Sequence, residues 1–196
     1  MPTIPFASSE VLTPERPIFP TDHLCSHDAI HGLESFFWVM TEHCLLRSGP
    51  GGELRPELDP LSRHNFQSTK DKELRGLYEA FFGSSTSAED ISLNKRIMLR
   101  SEHDYEGLLP YIHSYFEPLK LCLWRLFMLV RSAHRFALDD IYTPFLRVLG
   151  QAEESLLDLQ LPITPASENE FLRREKNLKA LQSFKDDHHD IDELDL

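Results

Sequence analysis

The chain has 196 residues, 41% of them hydrophobic with 13 Phe, enough to bury one sizeable core and too few for two. Its 32 acidic against 20 basic residues give a net charge of -12, which repels a phosphate backbone and excludes nucleic acid as an expected partner. Three cysteines, Cys25, Cys44 and Cys122, are too few and too scattered for a disulfide framework and fit a reducing compartment.

In chain order, residues 2 to 22 hold Pro2, Pro5, Pro14, Pro17 and Pro20, which favour extended segments and turns. This stretch lacks the basic flank and apolar run of a secretory signal. Leu33, Phe36, Phe37, Met40 and Cys44 then recur at helical spacing, and Trp38 and Val39 add apolar surface on other sides, so a largely buried helix is expected. It should end before "SGPGGELRPELDP", residues 48 to 60, which reads as a surface loop.

A second helix is expected from Leu74, Leu77, Tyr78, Phe81 and Phe82, with Gly83 as its stop. Thr86 and Glu89 form a capping-box pattern that opens a third, in which Ala88, Ile91, Lys95, Met98 and Leu99 share a face. The strongest periodicity follows Pro118, in Leu119, Cys122, Leu123, Leu126, Phe127 and Val130. Thr143 and Pro144 suggest the cap and first position of a further helix, with Phe145, Val148, Leu149, Ala152 and Leu156 as its buried stripe and Gly150 as a weak point.

Residues 161 to 184 read as an appended, charged helix that has Phe171, Leu178, Leu181 and Phe184 to bury. Residues 185 to 196 hold six acids against one lysine and read as a disordered acidic tail. The longest apolar stretch, residues 119 to 130, carries Lys120 and Arg125 and is too short to cross a bilayer. The expected class is all-α, with residues 23 to 160 as the helical domain, in an intracellular protein, cytoplasmic or nuclear and not secreted, with no membrane partner.

Chemistry-bearing motifs are sparse. Neither GxGxxG nor GxxxxGK[ST] occurs, so no phosphate cradle is encoded, and no GxSxG elbow places a nucleophilic serine. His23, His27 and His31, with Asp28 among them, would share a face if helical, but a proline-rich lead and Gly32 weaken that helix and a fourth ligand is missing. His188, His189 and Asp190 lie in the acidic tail, where no fixed geometry is expected. No metal site and no catalytic residue is therefore assigned. Cys44 and Cys122 sit on apolar stripes and read as small hydrophobes.

"TIPFASSEVL", residues 3 to 12, followed by "HGLESFFWVM", residues 31 to 40, resembles the middle of the fungal-type protein kinase domain family. In that family the activation segment ends close to G-T-x-x-F-M-A-x-E-x-L, and H-D-L-E-S-F-F-[YW]-V-L opens the central helix of the C-lobe. Thr3, Phe6, Glu10 and Leu12 match the first motif; His31, Leu33, Glu34, Ser35, Phe36, Phe37, Trp38 and Val39 match the second. The likeness is strong from about residue 3 to 47. It implies that residues 1 to 22 are the remnant of an activation segment, with Thr3 in the substrate-facing loop. Glu10 would be the carboxylate that pairs with an arginine of a later helix, and Arg125, Arg131 and Arg135 are the candidates. Gly32 stands where the family carries an aspartate, and it reads as a cap of the central helix.

The resemblance also implies that every part a kinase uses for phosphoryl transfer precedes Thr3, while "HDY" at 103 and "HRF" at 134 read as chance. Three expectations follow. The chain is a C-lobe portion without activity, working as a helical protein-interaction remnant with a protein partner or a missing N-lobe. Alternatively it is the C-terminal part of a longer Ser/Thr kinase, and ATP and Mg would enter only with that upstream region. The third reading is an independent all-α interaction module.

Overall fold

A computed structural model describes residues 6–12, 29–49, 53–59, 68–136 and 140–159, together with 168, 172, 173, 175, 176 and 179. Seven helices run through them: α1 (Ser9–Leu12), α2 (Ala29–Leu46), α3 (Thr69–Phe82), α4 (Ala88–Arg100), α5 (Glu102–Leu108), α6 (Lys120–Phe136) and α7 (Tyr142–Asp158), with two 3-10 turns, Leu109–Tyr111 and Ser114–Leu119, leading into α6. The architecture is all-α. Among the described residues the only extended pairing is an isolated bridge between Arg47 and Leu54. None of their helices is long and apolar enough to cross a membrane.

Helix α2 is the hub. It lies against α6 and α3, while α4 contacts α1, α3, α5 and α6, and α7 closes over α6. Phe37, Trp38, Leu99, Tyr105, Leu123 and Phe127 are buried in one continuous core. Tyr105 stacks on Phe127 with ring centroids 4.3 Å apart and planes 4° from parallel, and Trp38 stacks on Phe81 at 5.8 Å. Cys44 and Cys122 are free and buried, and burial pushes the Cys44 thiol up to about 12, so it packs as an inert hydrophobe.

Local details depart from the sequence expectations for physical reasons. Helix α2 is not buried all round: Phe36 and Val39 are 44% and 43% exposed, so Phe36 is no core residue, although its ring meets Phe145 edge-on at 5.9 Å. The helix starts at Ala29, which puts Gly32 inside its first turns and not at a cap. A Cβ on Gly32 meets nothing within 4 Å. Gly32→Ala is therefore expected to raise stability by roughly 0.5–1 kcal/mol, read as a higher denaturation midpoint with an unchanged slope.

The segment after α2 is anchored, not merely a surface loop. Arg55 is buried and its Nη1 donates to the carbonyls of Leu45 (3.2 Å) and Tyr111 (2.6 Å), while the His113 N–H donates to the Cys44 carbonyl (3.2 Å). Carbonyls at the end of α2, which have no intrahelical partner, are satisfied in this way.

Gly83 ends α3 with a φ of -66°, so no left-handed cap is needed. A Cβ there would lie 2.6 Å from the Glu79 carbonyl oxygen and 2.8 Å from its Cα, and this close approach explains the glycine. The cap of α4 is Ser87, whose Oγ accepts from the Asp90 N–H (3.1 Å); Thr86 instead donates to the Glu79 carbonyl (2.7 Å). Ser101 terminates α4 and caps α5, a helix the periodicity did not reveal. Helix α7 begins at Tyr142, with Asp140 Oδ1 accepting from the Thr143 N–H (3.1 Å). Its stripe is shallower than expected, since Phe145 is buried while Val148, Leu149 and Ala152 are only partly so.

In the appended segment the described residues, between 168 and 179, are helical, with Lys179 and Glu175 paired at 2.7 Å. The acidic tail, Thr3, His23, Cys25 and His27 lie outside the described residues.

Candidate functional site, a buried polar junction

Polar groups from four helices converge on and around Glu34. Positions 30, 31, 34, 37, 38, 41, 44 and 45 of α2 are all buried, which is the periodicity of one helical face, and Glu34 is the carboxylate on that face. It is fully buried, so its charge requires partners. Oε1 accepts from the Ser9 backbone N–H (2.9 Å) and from Trp38 Nε1 (3.0 Å), and Oε2 lies 2.9 Å from His134 Nε2. Burial by itself raises the carboxyl's pKa. The hydrogen bond and charge of His134, with the Ser9 and Trp38 donors, more than reverse this and hold it at about 2.

Each partner comes from a different element. The Ser9 N–H opens the single turn of α1, where a backbone donor has no intrahelical acceptor. His134 sits in the last turn of α6, four residues beyond Val130 on its buried stripe. Its other nitrogen, Nδ1, lies 3.8 Å from Glu10 Oε2, so both ring nitrogens face carboxylates.

Helix α4 supplies two more ties to the same segment. Lys95 is fully buried, donates to the Ala7 carbonyl at 2.7 Å and stands 5.1 Å from the centre of the Trp38 ring. Burial pushes its ammonium down to about 8, against the opposing pull of Glu34. Ser92 Oγ donates to the Ser9 carbonyl (2.8 Å). From α2, His31 Nδ1 and Ser8 Oγ are 3.1 Å apart, and the His31 and His134 rings lie 6.2 Å apart. Residues 7 to 9 are thus held by main-chain and side-chain bonds to α2 and α4.

The structure brings together Glu10, His31, Glu34 and Trp38 from the sequence-assigned residues. Phe37 packs against Trp38 with ring centroids 5.0 Å apart, Leu33 is half-buried, Ser35 Oγ donates to the His31 carbonyl (2.7 Å), and Gly32 is exposed. The arginines considered for Glu10 have other contacts: Arg125 donates to Gln151 (2.9 Å), Arg131 pairs with Glu102 (2.6 Å), and Arg135 lies 5.1 Å over the Phe136 ring. The side chain that α6 turns toward Glu10 is His134, at 3.8 Å. Sequence reasoning missed its role and that of Lys95, although both carry a signal, an ionisable residue at the spacing of an apolar face.

A serine hydroxyl beside a histidine is the geometry of an activated nucleophile. Ser8 and His31 are both buried, and their contact ties the segment to α2. Among the described residues no group of three or more His, Cys, Asp or Glu side chains is placed to hold a metal. The chain matches no protein-family model, no curated protein and no solved structure.

Proposed function

We propose that the chain is a C-lobe element similar to the fungal-type protein kinase domain, catalytically incompetent as it stands, that works as a helical protein-interaction unit. The carrying observation is the docking of the Glu10 segment between the helix that bears "LESFFWV", through the Ser9 N–H to Glu34, and the end of α6, where Glu10 lies 3.8 Å from His134. In the resemblance these are the two adjoining motifs, and Glu10 is the carboxylate expected to pair with an arginine of a later helix. The residue next to His134 is Arg135, one of the arginines considered for that role. The incompetence proposed concerns these 196 residues alone, which include no GxGxxG cradle, and phosphoryl transfer depends on positioning the nucleotide and its metal.

The test is thermal unfolding of the purified chain with and without Mg-ATP, alongside transfer of labelled γ-phosphate to generic protein substrates. No shift in melting temperature and no labelled product are expected. Saturable stabilisation by Mg-ATP, or transfer, would sink the assignment of incompetence.

A second reading, an independent all-α interaction module, is favoured by a specific observation: the chain's own helices bury Phe37 and Trp38 completely. Denaturant titration separates the two. One cooperative transition supports the independent module, whereas a broad transition with strong dye binding supports a lobe that needs further elements.

A further inference from the structure

Helices α3, α4 and α5 enclose a groove of about 670 Å³, lined by residues other than those of the buried junction. Leu77, Phe81 and Met98 contribute apolar surface, and Ile97 is 48% exposed beside them. Gly76 on α3 and Gly107 on α5 also line it, and a Cβ on either would meet no atom within 4 Å. Glycine inside a helix is unfavourable by roughly 0.5–1 kcal/mol relative to alanine, and here no neighbouring atom excludes a side chain. What the two glycines leave is room. The lining includes the carboxylates of Glu73 and Asp104 and contains no lysine or arginine.

We propose that this groove docks a basic amphipathic helix of a partner protein. Apolar residues at helical spacing on the partner would enter over Gly76 and Gly107 onto Leu77, Phe81 and Met98, the helix-in-groove mode of recognition. Lysines or arginines beside those anchors would meet Glu73 and Asp104. The chain's net charge of -12 acts in the same direction, attracting a cationic segment and repelling an acidic one. This proposal deepens the interaction half of the reading above and is independent of the kinase resemblance.

The test uses the full chain and a fluorescein-labelled Leu/Lys amphipathic peptide about four turns long, followed by anisotropy at physiological salt, with a Leu/Glu peptide of equal hydrophobicity as control. The Leu/Lys peptide is expected to bind and the Leu/Glu peptide to fail. Gly76→Leu, which fills the groove, is expected to weaken binding at least ~10-fold without lowering the melting temperature. Gly107→Leu is the second filling variant should the first misfold. The double change Glu73→Gln and Asp104→Asn is expected to weaken binding and flatten its salt dependence.

Equal binding by a folded groove-filled variant, or equal binding of the Leu/Glu peptide, would overturn the proposal. So would self-association of the wild type that Gly76→Leu abolishes, since the groove would then belong to a second copy of the chain. The nucleotide assays above read out separately, so either reading can fail alone.

Discussion

Glu34→Ala is expected to cost about 3–5 kcal/mol, measured by denaturant unfolding, because it removes a buried carboxylate and leaves its surviving buried partners without their acceptor. The Ser9 N–H, Trp38 Nε1 and His134 Nε2 each lose a bond of 2.9–3.0 Å, and the buried Lys95 ammonium loses the negative charge that opposes its desolvation. The loss should be concentrated at the N-terminal segment, so hydrogen exchange at Ser9 should speed up more than exchange at the end of α6. Glu34→Gln keeps an acceptor for Ser9 and Trp38 and should fall between alanine and wild type. A loss under ~1 kcal/mol for Glu34→Ala would show that the junction carries little of the stability.

The same carboxylate sets an acid limit. Its pKa in the folded chain, about 2, lies below the ordinary 4.5, so the folded state holds the charged form more strongly than the unfolded state does. The resulting stability, on the order of 3 kcal/mol, is fully present above pH 4.5 and is lost as pH falls toward 2. Glu34→Gln should show a shallower fall through that window than wild type. Parallel curves for the two proteins would place the acid sensitivity elsewhere.

Phe127→Ala is the second large effect, expected at about 3–5 kcal/mol because it empties the middle of the aromatic core. Phe127 is fully buried, stacks on Tyr105 at 4.3 Å, and lies 5.6 Å from Trp124 and 6.3 Å from Phe37 between ring centroids. It therefore joins α2, α5 and α6. Phe127→Leu retains much of the volume and should lose distinctly less. A cooperative transition with reduced midpoint is the expected reading, and comparable losses for leucine and alanine would mean that ring stacking, not volume, dominates at this position.

Five helices were legible because their apolar residues recur at helical spacing: α2, α3, α4, α6 and α7. Helices α1 and α5 escaped: α1 is a single turn between the prolines of a stretch expected to be extended, and the seven residues of α5 bury only Tyr105 and Leu108, too few to establish a period. The caps moved by a residue or two for a related reason. Several serines, threonines and aspartates stand near each boundary, and the tertiary path selects among them, as with Thr86, which reaches back to Glu79 and leaves Ser87 to cap α4.

The junction was legible in pieces. The resemblance singles out Glu10, His31, Glu34 and Trp38 one by one, Lys95 falls on an apolar face without a role, and the "HRF" around His134 reads as chance. Composition and the spacing of apolar residues within one or two turns are enough to set the helical class, most of the buried faces and the acidic excess. That Glu34 meets His134 a hundred residues away, that Lys95 reaches Ala7, and that Gly76 and Gly107 line one groove depends instead on how the helices pack. A desolvated charge must find its partner wherever packing brings one, and that choice depends on how helices cross, which no local period encodes.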